Sequence, residues 1–284
     1  MTRNEAEIAA TIKQLQPKLV RVAYRMLGSV HDAQDVVQDA LIRWVSVERN
    51  DVRDPEAFMH RAVTRLCLDK LRSVQRERKN YEGIWLPDPI VDDEDDEDVT
   101  LPLMLALERL SPLERASFLL HNVFGLPFEE VSSILQREIT ACRQLAARAR
   151  THIREARPRF QIEKRRAFEI AEAFYDASRT GNLTALGAPL AADVTLRADG
   201  GGKRPTVLEP IIGFEPVMQF FATLARSISK DLSKLVRLGF VNGLPGFVSH
   251  ESDGEYSTTA LDLNEGRIAA IYVVRNPDKL RHLH

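Results

Sequence analysis

Long apolar runs, cysteines and a net charge of either sign are all scarce in this sequence. No apolar stretch approaches the roughly 20 residues that a bilayer-spanning helix requires. The opening MTRNEAEIAA lacks the basic-then-apolar order of a secretion signal. The expectation is a cytoplasmic protein with no membrane partner. Only two cysteines occur, Cys67 and Cys142. Both lie in apolar helical seams, which reads as small core residues rather than a redox pair. No internal repeat is present. Net charge is only −2, but it is unevenly spread.

Residues 1–80 hold 15 Lys and Arg against 11 Asp and Glu, residues 81–105 none against 9, residues 106–166 12 against 7, and residues 167–284 12 against 14. Two basic segments flank an acidic one, and a near-neutral block follows. That alternation suits polyanion-binding modules joined by an acidic tether. With 284 residues, the chain has room for two or three domains.

The first basic segment is helical by spacing. Ile8, Ile12, Leu15, Leu19, Val22, Ala23, Met26 and Leu27 recur at three and four, with Pro17 predicting a bend or break and Gly28 a stop. Asp32 is expected to cap a second helix with face Ala33, Val36, Val37, Ala40, Leu41 and Trp44. Asp54 and Pro55 open a third, carrying Phe58, Ala62, Leu66, Leu68 and Leu71 to about Arg78. WLPDPIVDDEDDEDV (85–99) has seven consecutive acids at 92–98 and cannot bury a core, so it is expected as a mobile, extended, solvated linker.

Helices resume from Leu101. Ser111-Pro112 opens one to Gly125, Phe128–Leu135 is a short one, and after Gln136, Arg137 and Glu138 a longer one begins at Ile139. The buried seam of that last helix is Ile139, Cys142, Ala146, Ala149 and Ile153. Short helix, tight turn and longer helix form a helix-turn-helix pattern. Off the seam lie Thr140, Arg143, Gln144, Ala147, Arg148 and Thr151, of which Arg and Gln can hold base edges and Arg and Thr can hold phosphates. A helical hairpin with a solvated basic face fits the same residues. From Arg166 the texture changes to a helix, a strand at 193–198, a helix at 213–228, and strand-like runs separated by NG, DG and NEG turns. That order predicts an α+β domain with an antiparallel meander.

AYRMLGSVHDAQDVVQDALIRW (23–44) with DPEAFMHRAVTRLCLDKLRS (54–73) resembles region 2 of bacterial sigma factors of the extracytoplasmic-function type. LSPLERASFLLHNVFGLPFEEVSSILQREITACRQLAARAR (110–150) resembles their region 4. The last block is similar to the SnoaL-like fold, a cone-shaped sheet with helices related to nuclear transport factor 2. WLPDP (85–89), DGGGK (199–203) and NPDKL (276–280) resemble the hallmarks of a group of these sigma factors with such an extension. The resemblance implies a multidomain chain: two all-α sigma domains (a region 2 helical bundle, 1–80, and a region 4 helix-turn-helix, 106–160), an acidic linker (81–105), and a C-terminal α+β SnoaL-like cone (165–284). The turn at Gln136–Glu138 departs from the family's usual glycine and small polar cap, and Glu138 caps less well than Ser or Asp.

What the resemblance implies for function is promoter-specific transcription with core RNA polymerase and promoter DNA as partners, no catalysis, and no cofactor or metal. By the same resemblance Asp35, Gln38, Asp39 and Arg43 meet polymerase. Asn50 in the 48–54 loop, with Arg61, Arg65, Lys70 and Arg72, faces the −10 element, where a base is flipped and single strand held. Arg137, Thr140, Arg143, Gln144 and Arg148 enter the major groove at −35. The linker carboxylates are expected to thread toward the polymerase channel. Solvated polar faces account equally for the polymerase and −10 residues.

RADGGGKRP (197–205) invites a phosphate-loop reading, but strand, glycines and then extended TVLEP offer no helix N-terminus, and no Ser or Thr follows Lys203. The resemblance makes it instead a domain-contact loop, with Trp85, Pro87, Asp199, Gly200, Gly201, Gly202, Lys203, Asn276, Pro277, Asp278, Lys279 and Leu280 as an interdomain regulatory set. A plain hairpin turn is the alternative. The cone could hold a small ligand, or an acid or base drawn from Asp193, Asp199, His250 and Asp262, though fold alone does not confer chemistry.

Overall fold

The structure is a computed structural model that describes residues 3–46, 54–78, 80–92, 100–153, 163–227 and 233–283. The chain divides into two compact units, Met1–Lys79 with Ala106–Glu155 and Asn80–Leu105 with Ala156–His284. Among the described residues no helix is long and apolar enough to cross a membrane.

The first unit is helical. Helices α1 (Arg3–Leu27), α2 (Val30–Ser46) and α3 (Pro55–Arg78) pack on one another. α1 continues through Pro17, against the expected bend or break. A proline removes one internal hydrogen bond, and burial of Leu15, Leu19, Val22, Met26 and Leu27 around it offsets that loss. The cap of α2 is Ser29, whose hydroxyl accepts from Asp32 N–H at 3.3 Å. Asp32 therefore sits inside the first turn rather than at the cap. Asp54 caps α3 as expected, accepting from Ala57 N–H at 3.0 Å. The buried stripe of α3 is Met59, Val63, Cys67, Leu68 and Leu71, one residue beyond much of the expected seam. Phe58 instead packs at the edge, 5.3 Å from the Trp44 ring.

Helix α4 (Leu101–Leu107) precedes α5 (Pro112–Phe118), which opens on a capping box: Ser111 and Glu114 satisfy each other's backbone N–H groups. A π turn at Leu119–Val123 follows. Then come α6 (Phe128–Leu135) and α7 (Ile139–Ile153), with Cys142, Ala146, Ala149 and Ile153 buried. Both cysteines are free and buried.

The second unit is a seven-stranded sheet in the order β1-β4-β5-β6-β7-β2-β3, with helices α8 (Lys164–Thr180), α9 (Leu183–Gly187) and α10 (Phe214–Ser227). The strands are β1 (Val91–Asp92), β2 (Leu190–Asp199), β3 (Ile211–Ile212), β4 (Lys234–Val241), β5 (Leu244–His250), β6 (Tyr256–Asn264) and β7 (Arg267–Val274). β4 to β7 form the expected antiparallel meander. β2 joins β7 in parallel, so the sheet is mixed. One face packs Ile268, Ile271, Leu261 and Phe247 against Phe174, Ile170, Val217 and Phe221 of the helices. The other face, Val241, Leu244, Ala260, Ala270, Tyr272 and Val274, is covered by Leu86, Leu101 and Leu280, the last in α11 (Pro277–Leu280).

The segment before the acids therefore differs from expectation. Residues 80–92 are no free tether: Leu86 is 0% exposed, Pro87 to Pro89 are buried, and Val91 and Asp92 pair with Val241 and Phe240. The reason lies in β7, whose RIAAIYVV is apolar on both faces. Such a strand demands cover on both sides, and the linker's apolar residues supply it. Residues 93–98 of the acidic run lie outside the described residues.

Candidate functional site

The three motifs meet in the second unit at a buried ion pair. Asp199, 0% exposed, ends β2. Its carboxylate accepts from Tyr81 O–H at 2.5 Å, Leu86 N–H at 2.8 Å and Lys279 Nζ at 2.8 Å. Its carbonyl accepts from the N–H groups of Arg275 and Asn276 at 2.7 and 3.0 Å. Lys279 also donates to the Leu86 carbonyl, and its ammonium lies 4.3 Å from the Trp85 ring and 5.1 Å from the Tyr81 ring. A buried cation is tolerated only when so paired and bonded. Burial and the Asp199 carboxylate together push the Tyr81 phenol well above its ordinary pKa.

The glycine run makes this approach possible. A Cβ on Gly201 would fall 2.2 Å from the Asn276 amide, one on Gly202 2.5 Å from the Glu82 carboxylate, and one on Gly200 2.2 Å from the Arg204 carbonyl. Gly201 and Gly202 take φ of 61° and 68°, where L side chains are strained. Asn276 caps α11, accepting from Asp278 N–H at 3.0 Å, and donates to Tyr81 Oη at 2.8 Å. Lys203 pairs with Asp278, Pro277 opens α11 and Leu280 is buried. The loop is thus packed by protein on every glycine, all of it within the second unit, which leaves no open cradle for a phosphate.

Three linker-holding residues escaped the sequence reading. Tyr81 carried no motif. Asn242 passed as a turn residue, yet its side chain accepts from Ile90 N–H at 2.9 Å and donates to the Asp88 carbonyl at 3.2 Å. His282 Nε2 lies 2.7 Å from the Pro89 carbonyl.

In the first unit Asp35, Gln38, Asp39 and Arg43 are exposed on α2. Beside them stand Ile42 and Val45, 62% and 73% exposed, which the helical pattern left unremarked. Arg61, Arg65 and Arg72 recur on one side of α3 at intervals of four and seven. Lys70 lies away from them, its Nζ 2.8 Å from Asp32 on α2. Asn50 lies outside the described residues.

On α7, Thr140, Arg143, Gln144 and Arg148 are exposed together, with Arg137 in the preceding turn. Gln136 supplies the left-handed residue that ends α6, at φ 52°, so the turn forms without glycine. The helix still begins at Ile139, with Cys142 N–H bonded to the Glu138 carbonyl at 3.0 Å.

The helices of residues 3–78 and 112–153 also pack directly on each other. Arg115 of α5, 1% exposed, donates to the Met26 carbonyl at 2.7 Å, the Leu107 carbonyl at 2.9 Å and Glu108 at 2.8 Å. Burial lowers its pKa to about 10, so the guanidinium stays charged. Arg78 joins Glu108 and donates to the Leu27 carbonyl at 2.6 Å. The last carbonyls of α1 are thereby capped by cations from two other helices. Arg25 lies over the Phe124 ring at 5.5 Å. A cleft lined by Asp54, Glu56, His60 and Arg61 on one side and Glu129, Glu130 and Ile134 on the other places the start of α3 against α6.

Among the described residues one metal-like group exists, His31, Asp32 and Asp35. Asp32 is engaged by Lys70, and His31 lies 2.9 Å from Asp35, so internal pairing accounts for it. Of the proposed acids and bases, Asp193, Asp199, His250 and Asp262, none lines the cavity inside the cone.

The sigma-70 region 2 family model matches residues 11–77, and sigma-70 region 4 matches 100–153. The ECF RNA polymerase sigma factor SigJ of Mycobacterium tuberculosis is 34% identical, with 93% of this chain and 90% of that protein covered. A protein of the same species described as a probable ECF RNA polymerase sigma factor, SigI, is 31% identical over 96% of this chain and 94% of its own length. The crystal structure of Mycobacterium tuberculosis SigJ superposes with a TM-score of 0.78 at 31% identity, covering 96% of this chain and 98% of that one. With both helical modules and the C-terminal sheet accounted for along nearly the whole length, the chain belongs to the extracytoplasmic-function family of RNA polymerase sigma factors.

Proposed function

We propose that this sigma factor directs promoter-specific initiation by core RNA polymerase and that its C-terminal domain controls it in cis by holding the linker between regions 2 and 4. One observation carries the reading: the WLPDP segment is seated on the C-terminal sheet through the buried Asp199–Lys279 pair. A linker so held is withheld from polymerase. The direct packing of regions 2 and 4 through Arg115 and Glu108 supports the same reading, because two promoter elements cannot be read by modules folded against each other.

In the working state Asp35, Gln38, Asp39 and Arg43, with the apolar Ile42 and Val45, meet polymerase. A charged rim around exposed apolar residues suits a protein partner. Arg61, Arg65 and Arg72 hold the −10 strand; Arg61 lines the cleft against α6 and is partly covered until the modules part. Arg137, Thr140, Arg143, Gln144 and Arg148 read the −35 groove. The protein acts in the cytoplasm and performs no catalysis.

Run-off transcription with core polymerase tests this. The full chain, a truncation after Arg166, and one lacking only 276–284 are compared. The short deletion removes Lys279 and is expected to raise activity severalfold over the full chain. Equal activity of all three forms would discard cis control, and inactivity of all three would discard the initiation reading.

A further inference from the structure

The cleft between α3 and α6, of about 430 Å³, has one imidazole in its wall, that of His60. The His60 side chain is 15% exposed. Its Nδ1 is buried and has no hydrogen-bond partner among the described residues. Thr64, one turn further along α3 and 0% exposed, has a hydroxyl equally without one, so it does not serve the ring. Nε2 lies 4.0 Å from the Glu56 carboxylate, beyond hydrogen-bond length. A neutral imidazole suits this seat, because it carries its one proton on Nε2 and leaves Nδ1 bare. An imidazolium does not suit it. Its second N–H would be buried without an acceptor, and a charge would be buried with it.

Charged groups surround the ring. α3 supplies Asp54, Glu56 and Arg61, α6 supplies Glu129 and Glu130, and α1 supplies Lys18. Four carboxylates attract an imidazolium and two cations repel it. The carboxylates are weak counterweights. All four are exposed, and Glu129 also lies 4.0 Å from Arg143, so water screens them. Burial prevails and holds the imidazole below its ordinary pKa of 6.5. When α6 leaves α3, the burial is lost while Asp54 and Glu56 stay on the same helix. The parted form then binds the proton more tightly than the closed form.

We propose that His60 is a pH-sensitive latch between regions 2 and 4, fitting their closed packing when neutral and forcing them apart when protonated. The closed form is favoured above pH 7 and loses ground as pH falls through 6. One proton changes the open-to-closed ratio by at most about tenfold per pH unit. An ordinary histidine in the open form gives about threefold between pH 7.5 and 6.0. That such opening raises transcription rests on the cis-control reading; the latch itself does not.

Single-molecule energy transfer in the full-length protein tests the latch, with dyes on Lys13→Cys of α1 and Arg150→Cys of α7. Both positions are exposed, and the native Cys67 and Cys142 are buried. The pair is measured as it stands and with Glu108→Gln, which removes the Arg115 counter-charge and populates the open form. The low-transfer fraction should rise about threefold from pH 7.5 to 6.0. His60→Gln should flatten this response. Glu130→Gln should enlarge it, because a carboxylate that eases the closed imidazolium is gone. Glu130 is exposed, so this variant decides even if His60→Gln does not fold. No acid response, a fall in the low-transfer fraction, or a response that either variant leaves unchanged overturns the latch. Run-off transcription at each pH, divided by that of His60→Gln at the same pH, should also rise about threefold on acidification. Unchanged transcription beside an intact energy-transfer response overturns the link to cis control and leaves the latch standing.

Discussion

Asp199 joins the three motifs, and its chemistry sets what its removal costs. Asp199→Asn keeps the shape but strands the Lys279 ammonium, which is 8% exposed. Orphaning one partner of a buried pair costs roughly 3–5 kcal/mol. In a Trp44→Phe background Trp85 is the remaining tryptophan, and its emission during urea unfolding should shift to a lower midpoint in Asp199→Asn. Adding Lys279→Met should recover part of the loss, because no orphan charge remains. Asp262 behaves differently. Burial raises its pKa to about 6 from 3.8. The folded state then holds the proton more tightly than the unfolded chain, so this residue's contribution is fully present below pH 4 and is lost as pH rises through 6. Asp262→Asn is expected to raise stability above pH 6 and to flatten the decline between pH 4 and 6, read from melting curves across that range. The aspartates were visible in the sequence. Nothing there told the buried, paired Asp199 from the half-buried, ionisation-resistant Asp262, since each environment is assembled from distant strands.

At the scale of elements, local chemistry was largely legible. The Asp54–Pro55 and Ser111–Pro112 starts, the stop at Gly28 and the helix-turn-helix spacing all stand where capping and periodicity put them. Misreadings arose where two local signals competed. Ser29 took the cap from Asp32, and packing carried α1 through Pro17. Gln136 shows tertiary need overriding preference, because a left-handed non-glycine residue costs roughly 1–2 kcal/mol. Gln136→Gly should therefore stabilise the helical unit by about 1 kcal/mol, less than the full strain because glycine loses more freedom on folding. A rise in the melting temperature of that unit checks it; no change would mean the strain is relieved locally.

At the scale of the whole molecule the controlling question is whether regions 2 and 4 are held together or free. Glu108 compensates Arg115 at 2.8 Å and also pairs with Arg78. Glu108→Gln leaves Arg115 buried without its carboxylate and destabilises the closed packing. Because about 1.4 kcal/mol is a factor of ten in population, even a fraction of the buried-charge cost should raise basal run-off transcription several times over wild type. Transcription equal to wild type would show that this packing does not limit activity.

The sequence by itself determined the helical modules, the helix-turn-helix and the meander, because capping, periodicity and turn chemistry act within a few residues, whereas the three motifs were legible only through the family resemblance. Only the tertiary structure decided that the linker is a covering layer of the sheet, that β2 runs parallel to β7, and that Tyr81, Asn242 and Arg115 hold distant segments. The physical reason is that burial of β7 on both faces and compensation of Asp199 and Arg115 depend on partners some tens to two hundred residues away. A local pattern states that such partners are needed without naming them.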